Sequence, residues 1–272
     1  MAKSMRLIEE NLKLVDAVLY VLDARAAFSC LNPLFDKLLQ GRNKKALYIL
    51  NKCDLADPEV NPLLLEHFAK KGAAMLATGT DKANVRGVLE KLEELLAEKI
   101  EKNKKKGITL PVRAMVIGIP NSGKSTIINT LCGNKKASTG NRPGVTRGKQ
   151  WVKISDGVEL LDTPGTLWNA FEDQQAARHL AYIGSIDDDV TDREQLCAFL
   201  LEELKELYPK QLEAKYGADL TLSPYEILYQ ISKKKGCLKG GEVDTFRGAR
   251  AILDDFRKAR IGRITLERPQ DA

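Results

Sequence analysis

Two short stretches carry the residue types needed to hold a phosphorylated nucleotide. Gly118-Ile119-Pro120-Asn121-Ser122-Gly123-Lys124-Ser125 fits G-x-x-x-x-G-K-S, and Asn51-Lys52-Cys53-Asp54 reads N-K-x-D. In the first, glycines let the backbone wrap phosphate oxygens so that the N–H groups of Asn121 to Thr126 point inward. Lys124 then neutralises the β and γ oxygens, and Ser125 offers a hydroxyl to Mg²⁺. In the second, the Asp54 carboxylate accepts from both N1–H and the exocyclic amine of guanine, a pair adenine does not present. A site with those groups left unpaired rejects ATP. Lys52 is placed along the ring face, and Asn51 ties its loop to the phosphate loop.

Three further stretches complete a nucleotide site. Asp162-Thr163-Pro164-Gly165 follows an apolar strand, so Asp162 can hold Mg²⁺ through water and the Gly165 amide can sense the γ-phosphate. Within Arg142-Pro143-Gly144-Val145-Thr146, Thr146 is the candidate switch threonine that caps Mg²⁺; the competing reading is a Gly/Thr-rich surface loop. Thr78-Gly79-Thr80 follows a strand and offers backbone donors from Thr78 and Gly79 to the guanine carbonyl, on position more than on sequence. Asn121 is either a ligand for a monovalent cation such as K⁺ or a simple loop amide. Thr166 stands where some GTP-hydrolysing enzymes keep a water-orienting Gln, so hydrolysis here recruits another group. His67 reads as structural, and His179 as either a contributor or a packing residue.

The elements that must position these residues alternate. Strands are expected at residues 16–23, Ala46–Leu50, Ala73–Ala77, Val112–Ile117, Gln150–Ile154 and Val158–Leu161. Helices are expected over residues 3–14, near Leu31–Gln40, at Asn61–Lys71, Val85–Lys102 and from Lys124 to about Cys132. This alternation implies an α/β fold with a mostly parallel, Rossmann-like sheet. The phosphate loop usually opens such a domain and N-K-x-D follows. The inverted order implies a circularly permuted P-loop domain over residues 1–184, with an N-K-x-D half at 1–101, a basic linker at 102–110 and a phosphate-loop half at 111–184. The strand signal stops near residue 185. Helices expected at Arg193–Leu207, Pro224–Lys234 and Thr245–Arg260 place a small α-helical domain at 185–272.

Composition narrows the class. The 272 residues, 43% hydrophobic and 29% charged, are those of an ordinary globular protein, without an apolar run long enough for a membrane span or a secretory signal at the start. Net charge is +6, consistent with a polyanionic partner or with a merely basic enzyme. Cys30, Cys53, Cys132, Cys197 and Cys237 are dispersed, without a C-x-x-C pair, which disfavours a structural zinc site and suits a reducing cytoplasm.

The motif order resembles the circularly permuted GTPases, and among them the bacterial ribosome biogenesis GTPase A family. Supporting stretches are Met1-Ala2-Lys3, Asp23-Ala24-Arg25 with Asn32-Pro33, Gln150-Trp151-Val152-Lys153, residues 236–244 and residues 262–267. The resemblance implies GTP hydrolysis, slow alone and stimulated by the ribosomal particle, coupled to late maturation of the large ribosomal subunit. It implies GTP/GDP and Mg²⁺ as ligands, with K⁺ as a candidate stimulant, and a large-subunit precursor with its ribosomal RNA as partner. A monomer without membrane or DNA contacts is expected. The RNA surface is expected on Lys233, Lys234, Lys235, Lys239, Arg247, Arg250, Arg257, Lys258, Arg260 and Arg263. Relatives carry a Gly-His pair just before Met-Ala-Lys, its histidine implicated in catalysis. This chain starts at Met1, and Ala27 stands where relatives often have Pro, so nucleotide binding is expected intact and water positioning reduced. The alternative is a GTP-gated RNA-binding module with negligible intrinsic hydrolysis.

Overall fold

The computed structural model of the chain describes residues 8–42, 44–107, 110–133, 150–155, 157–163, 173–187 and 192–269. A helical stretch at 8–12 (α1) leads into β1 (Ala17–Asp23), followed by α2 (Pro33–Gly41), β2 (Lys45–Asn51), α3 (Asn61–Lys71) and β3 (Ala73–Ala77). Then come α4 (Lys82–Leu95), α5 (Ala97–Lys105), β4 (Val112–Ile117), α6 (Lys124–Cys132), β5 (Gln150–Ser155), β6 (Val158–Asp162) and α7 (Gln174–Tyr182). The remainder is helical apart from one small hairpin: α8 (Arg193–Leu207), α9 (Pro209–Tyr216), α10 (Pro224–Lys234), β7 (Leu238–Lys239), β8 (Glu242–Val243) and α11 (Thr245–Arg257).

The six-stranded sheet runs β3-β2-β1-β4-β6-β5, parallel except for the edge pair β5–β6. β1 is buried along its whole length because it lies between β2 and β4 with both faces covered, and its apolar run is what such a strand requires. Ala17, Leu19 and Val21 point to one face, where Val85, Val88 and Leu92 of α4 and Ile127 and Ile128 of α6 cover them. Val18, Tyr20 and Leu22 point to the other, under Leu64 and Phe68 of α3 and Leu180 of α7. That second apolar cluster continues through Leu196, Leu200 and Leu204 of α8, Ile227 and Ile231 of α10, and Ile252 and Phe256 of α11. The helices after residue 185 are thus packed onto one face of the sheet.

Strand order reverses between β1 and β4: β1, β2 and β3 step one way, and β4, β6 and β5 the other. In open α/β sheets the crevice at the carboxyl ends of the strands at this reversal is where ligands bind. Asp23 closes one strand there and Gly118 follows the other.

Several elements depart from the sequence reading. The single helix expected over Val85–Lys102 starts earlier, on the Asp81 cap, and is divided at Leu96 into α4 and α5. The basic run expected to open a linker at Lys102 instead continues helically through Lys105. Lysine is a good helix former, and Glu101 pairs with Lys105 one turn on. The expected helix end at Arg260 falls at Arg257, and α9 and the β7–β8 hairpin were without a strong periodic signal. The hairpin's strands are two residues each, too short to alternate visibly.

Candidate nucleotide site

The site is assembled where β1, β2, β3, β4 and β6 end. Parallel register sets Asp23 beside Asn51, and Asn51 beside Ala77, so the N-K-x-D turn and the Thr78-Gly79 turn leave the sheet side by side. Asn51 connects three loops. Its Nδ2 donates to the Ser122 carbonyl at 2.7 Å, and its Oδ1 accepts from the Gly79 amide at 2.9 Å. The bridge leaves no room at Gly123: a Cβ there would stand 2.1 Å from Asn51 Nδ2, and the backbone is left-handed, with φ of 99°. Gly118 is equally confined, since its Cβ would meet the Val21 carbonyl at 2.3 Å.

Lys52 itself takes the left-handed conformation, with φ of 60°. Its ammonium donates to the Asn121 carbonyl at 2.6 Å and lies 2.9 Å from Asp23 Oδ2. Asp54 is exposed beyond it and accepts from the Thr78 hydroxyl at 3.1 Å. Thr78 N donates to Asn84 Oδ1 at 2.8 Å, and Thr130 of α6 donates to the Gly79 carbonyl at 2.8 Å. The Thr78-Gly79 turn is therefore held from three sides.

On the phosphate side, Lys124 starts α6 and donates to the Gly118 and Ile119 carbonyls at 3.1 and 2.7 Å. Burial pulls its ammonium down to about 8, against the pull of nearby Asp162. Ser125 Oγ donates to Asp162 Oδ2 at 3.4 Å, which joins two of the sequence-expected Mg²⁺ residues. Asp162 Oδ1 is buried without a hydrogen-bond partner among the described residues, and burial raises this carboxyl's pKa against Lys124 and Ser125. A hydroxyl beside a carboxylate with an unused buried oxygen is a hard-oxygen donor set that fits Mg²⁺. Thr163 fixes the β6 end by donating to the Val116 carbonyl at 2.7 Å. Ser122 and Thr126 lie in the loop and first turn of α6, as expected. Thr146, Gly165 and Thr166 lie outside the described residues.

Asn121 also has positive φ, 59°, and its Nδ2 donates to the Gly184 carbonyl at 2.6 Å, while Ser185 Oγ donates to the Pro120 carbonyl at 2.8 Å. The phosphate loop is thus tied to the chain just after α7. His67, next to Phe28, is peripheral to the site. His179 is buried: its Nε2 meets Glu203 and its Nδ1 meets Glu267, each at 2.9 Å. Burial opposes its charge, but the two carboxylates outweigh that and push its pKa up to about 9. Glu267 also accepts from the Phe28 and Ser29 amides, at 2.6 and 3.1 Å, and from the Ser29 hydroxyl. His179 is a packing and charge junction, the second of the two readings its sequence position allowed.

Among the expected RNA-facing cations, Arg257 is half-buried and Arg263 exposed, and both are held by backbone carbonyls. Arg257 donates to the Tyr182 and Ala181 carbonyls at 2.9 and 2.8 Å, and Arg263 to those of Ala56 and Cys53 at 3.1 and 3.3 Å. Lys235 is paired with Asp255. Lys233, Lys239, Arg247 and Arg250 are exposed. In sequence, Asp23 served as the end of an expected strand and, with Arg25, as a mark of resemblance. The signal that they lie beside the site was their place at the end of an apolar strand, where a charged pair needs partners.

A family profile described as 50S ribosome-binding GTPase matches residues 113–222. Ribosome biogenesis GTPase A of Bacillus licheniformis is 40% identical across the full chain, covering 96% of that protein. Its namesake in Thermotoga maritima is 31% identical over 99% of this chain and 92% of that one. A GNP-bound structure of YlqF from T. maritima superposes with a TM-score of 0.69 at 26% identity, covering 99% of this chain and 100% of that one. Full-length similarity at these levels, with N-K-x-D ahead of the phosphate loop on one continuous sheet, places the chain in the ribosome biogenesis GTPase A family of circularly permuted GTPases.

Proposed function

We propose that this GTPase binds GTP with Mg²⁺ in the crevice between β1 and β4 and hydrolyses it during late maturation of the large ribosomal subunit. In this reading residues 1–184 form the nucleotide domain, and the helical part, residues 185–272, contacts ribosomal RNA. Asp54 reads the guanine edge, Lys52 covers the ring, and Thr78 and Gly79 address the guanine carbonyl. The amides from Asn121 to Thr126 and the Lys124 ammonium hold the phosphates. Ser125 and Asp162 hold Mg²⁺, joined by Thr146, and Gly165 senses the γ-phosphate. When bound, the ion would neutralise charge on the phosphates.

The observation that carries the reading is the double hydrogen bond of Asn51. It ties the base-reading, carbonyl-facing and phosphate loops together at the carboxyl ends of the strands, where one bound nucleotide would touch all three. Names of relatives, ribosome biogenesis GTPase A among them, supply the ribosomal context. Exposed Lys233, Lys239, Arg247 and Arg250 supply cations for an RNA backbone.

Single-turnover hydrolysis with and without large-subunit precursors tests the whole. Acceleration by the particle is expected, and its absence would leave a GTP-gated RNA-binding module instead. Asp54→Asn should abolish GTP preference, and a GTP affinity equal to wild type would refute the base-reading role. Turnover in potassium against sodium decides whether Asn121 serves a monovalent cation.

A further inference from the structure

A buried carboxylate stands behind the lysine of the N-K-x-D turn. Asp23 is fully buried at the end of β1, in register with Asn51. Arg25 grips it in a fork, Nε to Oδ1 at 2.9 Å and Nη2 to Oδ2 at 2.7 Å, and Lys52 approaches Oδ2 at 2.9 Å. One anion thus serves two cations. Burial works to raise the carboxyl's pKa, but the paired Arg25 and Lys52 hold it well below the usual carboxylate range, so it is ionised throughout the working range.

The consequence for Lys52 is geometric. A lysine stem has many rotamers, and stacking it along a base fixes all of them. Here the ammonium is already strung between the Asn121 carbonyl and Asp23. A side chain fixed before the ligand arrives loses less freedom on binding, which strengthens binding without a new ligand contact. Asp23 has no contact with a bound nucleotide to offer, because it is sealed beneath Lys52 and Arg25.

The anchor has its own support. Arg25 Nη1 donates to the Arg257 carbonyl at 3.1 Å, at the C-terminal end of α11, and the guanidinium lies 5.6 Å from the centre of the Phe256 ring. A helix C-terminus favours a cation. Arg257 in turn grips the last carbonyls of α7.

We propose that Asp23 is the positioning residue for Lys52 in guanine-nucleotide binding, and that Arg25 holds Asp23 in place from the end of α11. The proposal rests on the reading of Lys52 as the ring-covering lysine, and its test separates the two. GDP affinity and the KM and kcat of GTP turnover would be measured in the full chain for Asp23→Asn, Lys52→Met, the double variant, and Asp23→Glu.

Asp23→Asn is expected to weaken GDP binding about tenfold, the usual scale for one lost bond to a charged group, with the deficit in KM rather than kcat. Added to Lys52→Met, it should cost less than a further twofold, because the group it positions is gone. Asp23→Glu should recover part of the affinity. If Asp23→Asn is insoluble, Asp23→Leu with Arg25→Met removes the pair without stranding a buried charge and should show the same loss. Losses that multiply in the double variant, or an Asp23→Asn affinity equal to wild type while Lys52→Met is weakened, would overturn the proposal. An unaffected Lys52→Met would refute the ring-covering role itself.

Discussion

Replacing Asn51 by alanine removes both bonds that hold three loops together. Its Nδ2 donates to the Ser122 carbonyl at 2.7 Å and its Oδ1 accepts from the Gly79 amide at 2.9 Å, at a residue only 2% exposed. Each buried group left unsatisfied costs about 1–3 kcal/mol, so the pair costs about 2–6 kcal/mol. Part of this lowers stability, and part must be recovered by the nucleotide when it draws the loops back together. If about 3 kcal/mol falls on binding, GDP affinity drops on the order of a hundredfold. Asn51→Asp keeps the shape and the acceptor for Gly79 but, ionised, has no proton for Ser122, so its deficit combines the lost Ser122 bond with the repulsion of a buried carboxylate by that carbonyl. The assay is fluorescent-GDP titration of both variants beside urea unfolding of the nucleotide-free proteins. An Asn51→Ala protein that binds GDP within threefold of wild type and unfolds at the same urea concentration would refute the tie.

His179→Gln should destabilise the fold by about 1–3 kcal/mol near neutral pH, the scale for lost hydrogen bonds to charged groups, since Glu203 and Glu267 keep other donors. Pairing raises the folded pKa to about 9 from 6.5, so the stability difference between wild type and variant should be full below pH 6.5 and shrink as pH rises through 9, in urea melts across that range. Gly248→Ala should cost about 1–3 kcal/mol by overpacking, because its Cβ would meet Ser232 Oγ at 1.8 Å and Ser232 Cβ at 2.7 Å. Ser232→Gly in the same chain should recover part of that loss of thermal stability. Arg247→Ala with Arg250→Ala should lower RNA affinity and flatten its salt dependence by about 0.7–0.9 for each phosphate no longer neutralised; an unchanged slope in filter binding would move the RNA surface elsewhere.

The strands that build the site were legible because each is a short apolar run bounded by polar turns. The structure reproduces Asn61–Lys71, Ala73–Ala77, Val112–Ile117 and Lys124–Cys132 with the same bounds. The link from Asn51 to the phosphate loop was also legible, since both motifs follow strands that end on one side of a parallel sheet. Less legible was anything that depends on tertiary partners. Arg257 looks like another surface cation on a basic helix, and only the packing of α7 against α11 brings it to the α7 carbonyls. His179 has neither carboxylate nearby in sequence: Glu203 comes from α8 and Glu267 from beyond α11. The break at Leu96 occurs inside a continuous helical pattern, where propensity gives no boundary.

The permuted order gains its physical meaning from these contacts. The two halves of the nucleotide site come from chain segments on opposite sides of the β1–β4 reversal, and their ties across it are polar: Asn51 to Ser122, Lys52 to Asn121, Thr130 to Gly79. A nucleotide that touches both halves adds its own bonds across the same line, so binding should be coupled to whatever else holds the halves together. One such element is α7. It packs against α8 and α11, its last carbonyls accept from Arg257, and the residues just after it hold Asn121 and Pro120 of the phosphate loop. Arg257 returns the connection to the base side through its carbonyl to Arg25, Asp23 and Lys52. The chain at and just after the end of α7 therefore touches the phosphate loop directly and the base-reading turn through three residues, Arg257, Arg25 and Asp23. A displacement of this helix would strain its bonds to Arg257 and the Gly184–Asn121 tie together, so its position and nucleotide occupancy are expected to be linked.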